Sequence, residues 1–449
     1  MKSTLSLLFV LLLGLAAALQ LRGEVPITDK LNVAADLRYG LSYINDLTDN
    51  LPYTDHDLRT RMLFNLRPGE KERARIELSD WRTLGGSSSG SGIQLLQATM
   101  TVDDCLFKNF GGNIGRMRYV VGNERIIGDD NWYEGRAFDG AAFYLGDVEV
   151  FRQNDPTLSA QYGHGDYGGI ITYHRLRREE AAATKMTERG ITGEFLAFKI
   201  DENDSFEDDD HDFMGVNLHL PKYGLMPFIY YDRMNNWVGD HRRLHLYTPG
   251  VYFNQVFGNG TKYVLEGNGA FQTGKARIAP GDANELDLSA YLIQADFGAY
   301  FMNYERPLMV GGGIDITSGD DDFNDNDWNV WTNQLYSPHP FRGLVDYFTE
   351  QPPVGFNDFY GRIGYFPSDE VQIGFDAHLF RSNKEFQSAT NFDEDTKSVG
   401  TEFDFYGSAR LHENIDYRFE LGIFKPSEKF AGEDTNSHLR GVFRIRYRL

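Results

Sequence analysis

Near the C-terminus, Phe443, Ile445, Tyr447 and Leu449 alternate with Arg444, Arg446 and Arg448. Period two is the side-chain period of a β-strand, so the three guanidinium groups share one face and the apolar side chains the other. An arginine turned toward lipid at the bilayer midplane costs about 2–4 kcal/mol. Slipping this strand by one residue in a membrane wall would cost about 6–12 kcal/mol for the three together. A strand of this kind spans a membrane only with its arginine row facing an enclosed interior.

The same alternation recurs along the chain. Leu31, Val33, Ala35, Leu37, Tyr39, Leu41 and Tyr43 oppose Asn32, Asp36, Arg38 and Ser42. Leu58, Thr60, Met62, Phe64 and Leu66 oppose Arg59, Arg61, Asn65 and Arg67. After the turn residues Pro68-Gly69-Glu70-Lys71, Ala74, Ile76 and Leu78 oppose Arg73, Arg75, Glu77 and Ser79. A soluble sandwich gives water a face rich in Lys, Thr and Ser; here the polar face carries arginine and acid. The expectation is an all-β fold: one closed antiparallel transmembrane β-barrel over residues 24–449, with about 20 strands counted by eye. Outer-membrane barrels characteristically end in such a strand, although a terminal aromatic is commoner than Leu449.

Connections are expected to alternate between short periplasmic turns and long extracellular loops. Pro68-Gly69, Gly146-Asp147, Pro221 to Gly224, Gly258 to Gly260, Pro367 to Glu370 and His412 to Asn414 read as short. Ile44 to Asp57, Gly85 to Gly92, Asp201 to Asp212 and Ser318 to Asn357 read as long. Arg178 to Thr192 is the least readable stretch, and its Ala-rich part suits a short helix. At the N-terminus, Lys2, the apolar run Leu5 to Leu15 and Ala16-Ala17-Ala18 predict a signal peptide over 1–18, with cleavage as late as 23 the alternative. That run is short of the about 20 residues a spanning helix needs. The predicted location is the Gram-negative outer membrane.

A formal net charge of −22 argues against a nucleic-acid partner. The lone Cys105 excludes an internal disulfide framework and a cysteine metal cluster. The acidic stretches Asp201 to Asp212 and Asp320 to Asp327 offer oxygen ligands without the spacing of a calcium loop. Solvated loops, or divalent-bridged contact with lipopolysaccharide phosphates, fit them better. No nucleophile elbow, His-Glu-x-x-His or phosphate loop is present, so no catalytic residue, metal or cofactor is assigned.

Parity places Arg59, Arg61, Arg75, Arg116, Arg118, Arg410, Arg444 and Arg446 in the lumen, together with Glu402 and Asp404. Arginine suits carboxylate ligands, and rings of it select anions in pores. The same residues also suit cross-strand ion pairs that wire the wall together. Both readings stay open.

Gly115-Arg116-Met117, Gly122, Arg125, Trp132 and Arg136-Ala137-Phe138-Asp139-Gly140 resemble a conserved run of the alginate-export outer-membrane proteins, with Met117 where that family has Gln. Glu266 with Phe271-Gln272-Thr273-Gly274, Asp315 to Asp321, Leu335-Tyr336, His339 to Gly343, Asp346 and Gly400 to Asp404 continue the resemblance. The resemblance implies an 18-stranded barrel and an arginine-lined constriction, with Arg116 and Arg136 lining the pore. It also implies an anionic uronate polymer as cargo and periplasmic export machinery as a partner. The expected function is a passive outer-membrane channel for anionic or sugar-acid solutes, extending to export of an alginate-like polysaccharide. The alternatives are a general porin with a charge-neutralised lumen, or a barrel enzyme or adhesin. Outer-membrane lipid and lipopolysaccharide complete the expected partners.

Overall fold

A computed structural model describes residues 25–45, 52–84, 92–129, 135–151, 189–201, 211–234, 243–277, 285–302, 304, 306–322, 325–332, 335–337, 339, 341–391, 393–412, 414–432 and 435–448. The expected signal peptide, and most of the stretch read as a short helix, lie outside these residues. Eighteen long strands run in chain order around a closed antiparallel cylinder. They are β1 (Leu31–Asn45), β2 (Tyr53–Leu66), β3 (Glu72–Thr83), β4 (Gln94–Val102), β5 (Phe110–Met117) and β6 (Phe138–Leu145). Then come β7 (Thr192–Asp201), β8 (His211–His219), β9 (Leu225–Met234), β10 (Leu244–Phe257), β11 (Thr261–Ala276) and β12 (Leu286–Phe301). The last are β13 (Leu308–Thr317), β14 (Phe356–Tyr365), β15 (Val371–Gln387), β16 (Asp395–His412), β17 (Ile415–Pro426) and β18 (His438–Arg448).

Closure is made by β18 against β1, from Asp36 opposite Arg448 to Asn45 opposite Leu439. The wall therefore has no free edge, and its backbone hydrogen bonds are internal, as hydrocarbon requires. The count by eye is two too high. Val25–Pro26 beside β1 and Asp327–Trp328 beside β12 are paired stretches of two residues that span nothing.

The alternation resolves as sidedness. Met100, Phe195, Ile229, Ile363, Ile373 and Phe405 sit on the outer wall and are exposed, whereas the polar positions between them turn inward. Exposed aliphatic and aromatic side chains distributed around a whole cylinder mark a surface that meets lipid, not water. Among the described residues no helix is long and apolar enough to cross a membrane.

The first and last described residues, Val25 and Arg448, lie at one end of the barrel, where connections are short: 67–71, 103–109, 220–224, 258–260, 302–307, 366–370 and 413–414. Gly146-Asp147 breaks this pattern. Instead of a tight turn it opens the connection 146–191, whose two ends are tied by the ion pair between Arg189 Nη1 and Asp147 (3.1 Å). At the opposite end, two connections run far longer than a hairpin needs, 118–137 and 318–355. Half of the stretch read as a loop from Ile44 to Asp57 is wall, because β1 and β2 leave only 46–52 between them.

Phe405 lies mid-strand on the outer face of β16, opposite Phe375 and Leu421. Phe405→Arg is expected to lower stability in lipid vesicles by about 2–4 kcal/mol. Denaturant titration of vesicle-inserted protein checks this, and an unchanged midpoint would contradict the sidedness.

Candidate functional site

The interior is divided into a dry arc and a charged arc. From β6 to β12 the wall turns aromatic and aliphatic side chains inward, among them Phe138, Phe198, Phe213, Phe228 and Tyr230. Into them pack Tyr119, Val121, Ile126 and Ile127 of the 118–137 connection, forming one continuous buried cluster. The local sequence explains the path. Val120-Val121 and Ile126-Ile127 are too apolar for a solvated loop, and burial of each such side chain stabilises by about 1.5–3 kcal/mol. Gly122 has φ +57°, and a Cβ there would lie 2.6 Å from the Tyr252 ring, so the chain passes the wall where only glycine fits.

Polar pins hold this segment across the lumen. Arg125 donates to Asp315 of β13 through two nitrogens (2.7 and 3.0 Å), and its guanidinium lies over the rings of Tyr336 and Phe341. The side-chain amide of Asn123 donates to Gln294 (2.9 Å), and its oxygen accepts from Asn268 (2.7 Å). Ser337 donates its hydroxyl to the Glu124 carboxylate (2.5 Å) and its N–H to the Glu124 carbonyl (3.1 Å). Arg118 meets Asp129 and, at 3.5 Å, Glu77 of β3.

The 318–355 connection also folds inward and ties the two halves together. Gln272 of β11 clamps the backbone of Thr332, accepting its N–H (2.9 Å) and donating to its carbonyl (2.6 Å). Further along, Asp404 accepts the Leu344 N–H (3.1 Å) and Glu402 the Val345 N–H (2.7 Å). Arg440 of β18 donates to the Leu344 carbonyl and pairs with Asp346, which also meets His339 (2.7 Å). Gly343 has φ +85°, and a Cβ there would stand 2.4 Å from the Glu402 carboxylate. This is a latch of backbone amides on wall carboxylates.

Opposite the dry arc, β16 to β18 and β1 to β3 build charged rungs. Asp416, Arg446, Arg38 and Arg59 oppose one another in register on four successive strands. Neighbouring like charges are unfavourable, and carboxylates are shared among them. Asp36 meets Arg446 and Arg59, Asp416 meets Arg410 and Arg448, and Glu77 meets Arg61 and Arg118. Arg118 also meets Asp129, so the Glu77 group is balanced, whereas Asp36 and Asp416 are each shared between two guanidinium groups on a mostly neutralised wall.

The sequence-predicted residues divide accordingly. Arg59, Arg61, Arg118 and Arg444 face inward but are buried within the wall and its inward segments. Arg75, Arg410 and Arg446 face inward and keep partial exposure. Glu402 and Asp404 face inward yet are covered by the latch, so they are docking groups and not open lining. Arg136 sits on the inward segment and donates to the Tyr336 carbonyl (3.2 Å).

Arg116 departs from the parity expectation. It shares the outer face with exposed Ile114 and pairs with Asp139 (3.2 Å). The reason is that β5 ends at Met117. Arg118 follows the chain into the lumen, while Arg116, still in the wall, keeps the outward side at the strand's end. There the cost of an outward arginine falls to about 0–1 kcal/mol. Arg125 and Asp315 were missed as a pair; the signal was the apolar pairs Val120-Val121 and Ile126-Ile127 on either side of Arg125.

The acidic stretches are used internally where described: Asp320 accepts the N–H groups of Asp322 and Asn329, and Asp321 pairs with Lys384. Among the described residues no group of three or more His, Cys, Asp or Glu could hold a metal ion. The outward His56 and His245 each meet a tyrosine hydroxyl, Tyr39 and Tyr231.

No family model matches the chain, and no curated protein matches it. Solved structures share its fold. OpdL of Pseudomonas aeruginosa is 11% identical with a TM-score of 0.57, covering 93% of this chain and 98% of that one. OccK2 (OpdF) of Pseudomonas aeruginosa, solved in complex with glucuronate, is 11% identical with a TM-score of 0.54, covering 95% and 98%. A BenF-like porin of Pseudomonas fluorescens is 10% identical with a TM-score of 0.55, covering 94% and 99%. The fold is that of Gram-negative outer-membrane porins of this kind.

These findings overturn the resemblance to the alginate-export family, and the expectation of alginate export falls with it. Its short Gly, Arg and Asp clusters mark loop-docking points: Arg125 on Asp315, and Gly343 over Glu402. Any wide barrel that folds its loops inward needs such points, whatever it carries.

Arg125→Met leaves the Asp315 carboxylate buried without its cation, a change that costs about 3–5 kcal/mol. Faster hydrogen exchange across 121–128, with the strands unaffected, is the expected result. Native protection in the variant would remove the pin from the account.

Proposed function

We propose that the chain is a passive outer-membrane channel for small solutes, with a largely charge-neutralised lumen that leans toward carboxylate-bearing solutes such as sugar acids. The observation that carries this reading is the sharing of Asp36 and Asp416, each between two arginines. A guanidinium with half a partner offers its remaining donors to a passing carboxylate, and the planar fork matches two carboxylate oxygens. Arg410, Arg446 and Arg448 present these donors, because they keep partial exposure on the lumenal face.

The dry arc supports the same reading from the other side. It removes much of the cross-section from solvent and confines passage to the charged arc. A solute there moves past several weak sites in succession, which suits a channel that must release what it binds. Transport of this kind is driven by the concentration gradient and requires no covalent step. The neighbour solved with glucuronate supports a sugar acid as the first solute to try.

The test is conductance in planar bilayers with glucuronate as blocker. The native channel is expected to prefer anions modestly. Arg410→Ala, Arg446→Ala and Arg448→Ala together should abolish that preference and weaken glucuronate block about tenfold or more, since a hydrogen bond to a charged group is worth about 1.5–3 kcal/mol. A native channel that favours cations, or block that survives the triple change, would contradict the proposal.

A further inference from the structure

The outer rim at the long-loop end differs around the circumference. Along β5 to β12 the last outward position of each strand is charged or ionisable, and all are in register: Arg116, Asp139, Lys199, Asp212, Arg233, His245, Lys275 and Asp287. Arg116 pairs with Asp139, Arg233 with Asp212 and Lys275 with Asp287. In that ladder every lysine and arginine stands opposite a carboxylate.

On β15 to β17 the rim is written differently. Outward positions of β15 stay apolar through Ile373, Phe375, Ala377 and Leu379, then change to Arg381. On β17, Phe419, Leu421 and Ile423 give way to Lys425, which lies level with Thr401 and Leu379 and so one outward position nearer the apolar band than Arg381. Arg381 and Lys425 are both exposed, and neither has an ion-pair partner among the described residues. The cations nearer the loop tips are engaged: Lys384 with Asp321, Lys397 with the Asn383 carbonyl, and Lys429 with Glu394. Glu385, the nearest outward carboxylate on β15, stands two outward positions further from the apolar band than Arg381.

We propose that Arg381 and Lys425, flanking Thr401, form a binding site for the phosphorylated headgroup of an outer-leaflet glycolipid. The two cations stand two strands apart and one outward position out of level, about 10 Å across and about 7 Å along the wall. That spacing suits separate phosphates on one headgroup better than a single small anion. Their place at the upper margin of the apolar band puts acyl chains against Leu379, Phe403 and Ile423 while the headgroup meets the cations. The Thr401 hydroxyl stands between them as a neutral donor. The paired ladder on the opposite wall offers no comparable surplus. The inference rests on the sidedness of the wall and is independent of the solute that passes through it.

The experiment uses the full chain in detergent. Binding of a bis-phosphorylated glucosamine-disaccharide lipid in mixed micelles is compared with binding of the same lipid after dephosphorylation. The native protein should favour the phosphorylated form. Arg381→Gln plus Lys425→Gln should weaken its binding about 30-fold, from about 1 kcal/mol for each cation near an anionic headgroup. Arg116→Gln plus Lys275→Gln, on the paired ladder, should bind as the native protein does, and Arg381→Lys plus Lys425→Arg should retain binding. Equal loss in the β15–β17 and ladder variants, no loss in the first, indifference to the phosphates, or displacement of the lipid by millimolar inorganic phosphate would each overturn the proposal. Conductance and glucuronate block recorded on the same variants should stay native, so that a failed lipid site is distinguished from a failed channel.

Discussion

Guanidinium groups do not sit in hydrocarbon, and that exclusion organises the whole molecule. A two-residue repeat offers a strand only two faces. Once arginine occupies one of them over β1, β2, β3 and β18, the apolar face has to be the lipid face and the sheet has to close. Closure by β18 on β1 completes a wall of eighteen strands in which each strand is paired on both sides. A cylinder of that circumference is too wide for its own inward side chains to fill. The interior therefore has to be managed by chain that is not part of the wall.

Two connections do that work by different physics. The first carries apolar residues to the inward aromatic side chains of β6 to β12, so that half the lumen resembles the core of a soluble protein. The second is held by backbone amides on Glu402 and Asp404 and by Arg440 on Leu344 and Asp346. Hydrophobic packing is non-directional and tolerates sliding; charge-assisted hydrogen bonds have geometry and do not. The combination gives the first segment its stability and the second its position. What remains open is bounded by arginine rungs in which carboxylates are shared.

Legibility from sequence follows the range of each interaction. The lumenal side of Arg59, Arg61, Arg444 and Arg446 could be read because it depends on neighbours one residue away and on a large penalty for error. The end of β5 could not, because parity says nothing about where a strand stops, and Arg116 was placed inside for that reason. The faces of Glu402 and Asp404 were legible, but their amide partners lie 57 and 60 residues away along the chain. Gly146-Asp147 has the composition of a tight turn, and composition carries no information on where the next strand begins. The family resemblance failed similarly: its clusters report how loops dock, a need common to wide barrels, and not what passes between them.

Inside and outside vary together around the circumference, and register explains why. Over the charged arc, a slip of one residue would turn Arg38, Arg59 or Arg446 toward lipid, so inward charge alone holds the strands in place. Over the dry arc the inward positions are largely aromatic and aliphatic, with buried Glu194, Asn217, Asp232, Asn268, Gln272 and Gln294 among them, and the outward ones are apolar for most of their length. A slip there would turn those polar groups toward lipid, so they too hold the strands in register. The ladder from Arg116 to Asp287 adds to this penalty, since the same slip would drive its charges inward and break its cross-strand pairs. Ionisable groups at the outer rim thus reinforce over β5 to β12 a register that inward polar groups also set. On β15 and β17 the rim cations Arg381 and Lys425 enter no such ladder, which leaves them available for other contacts.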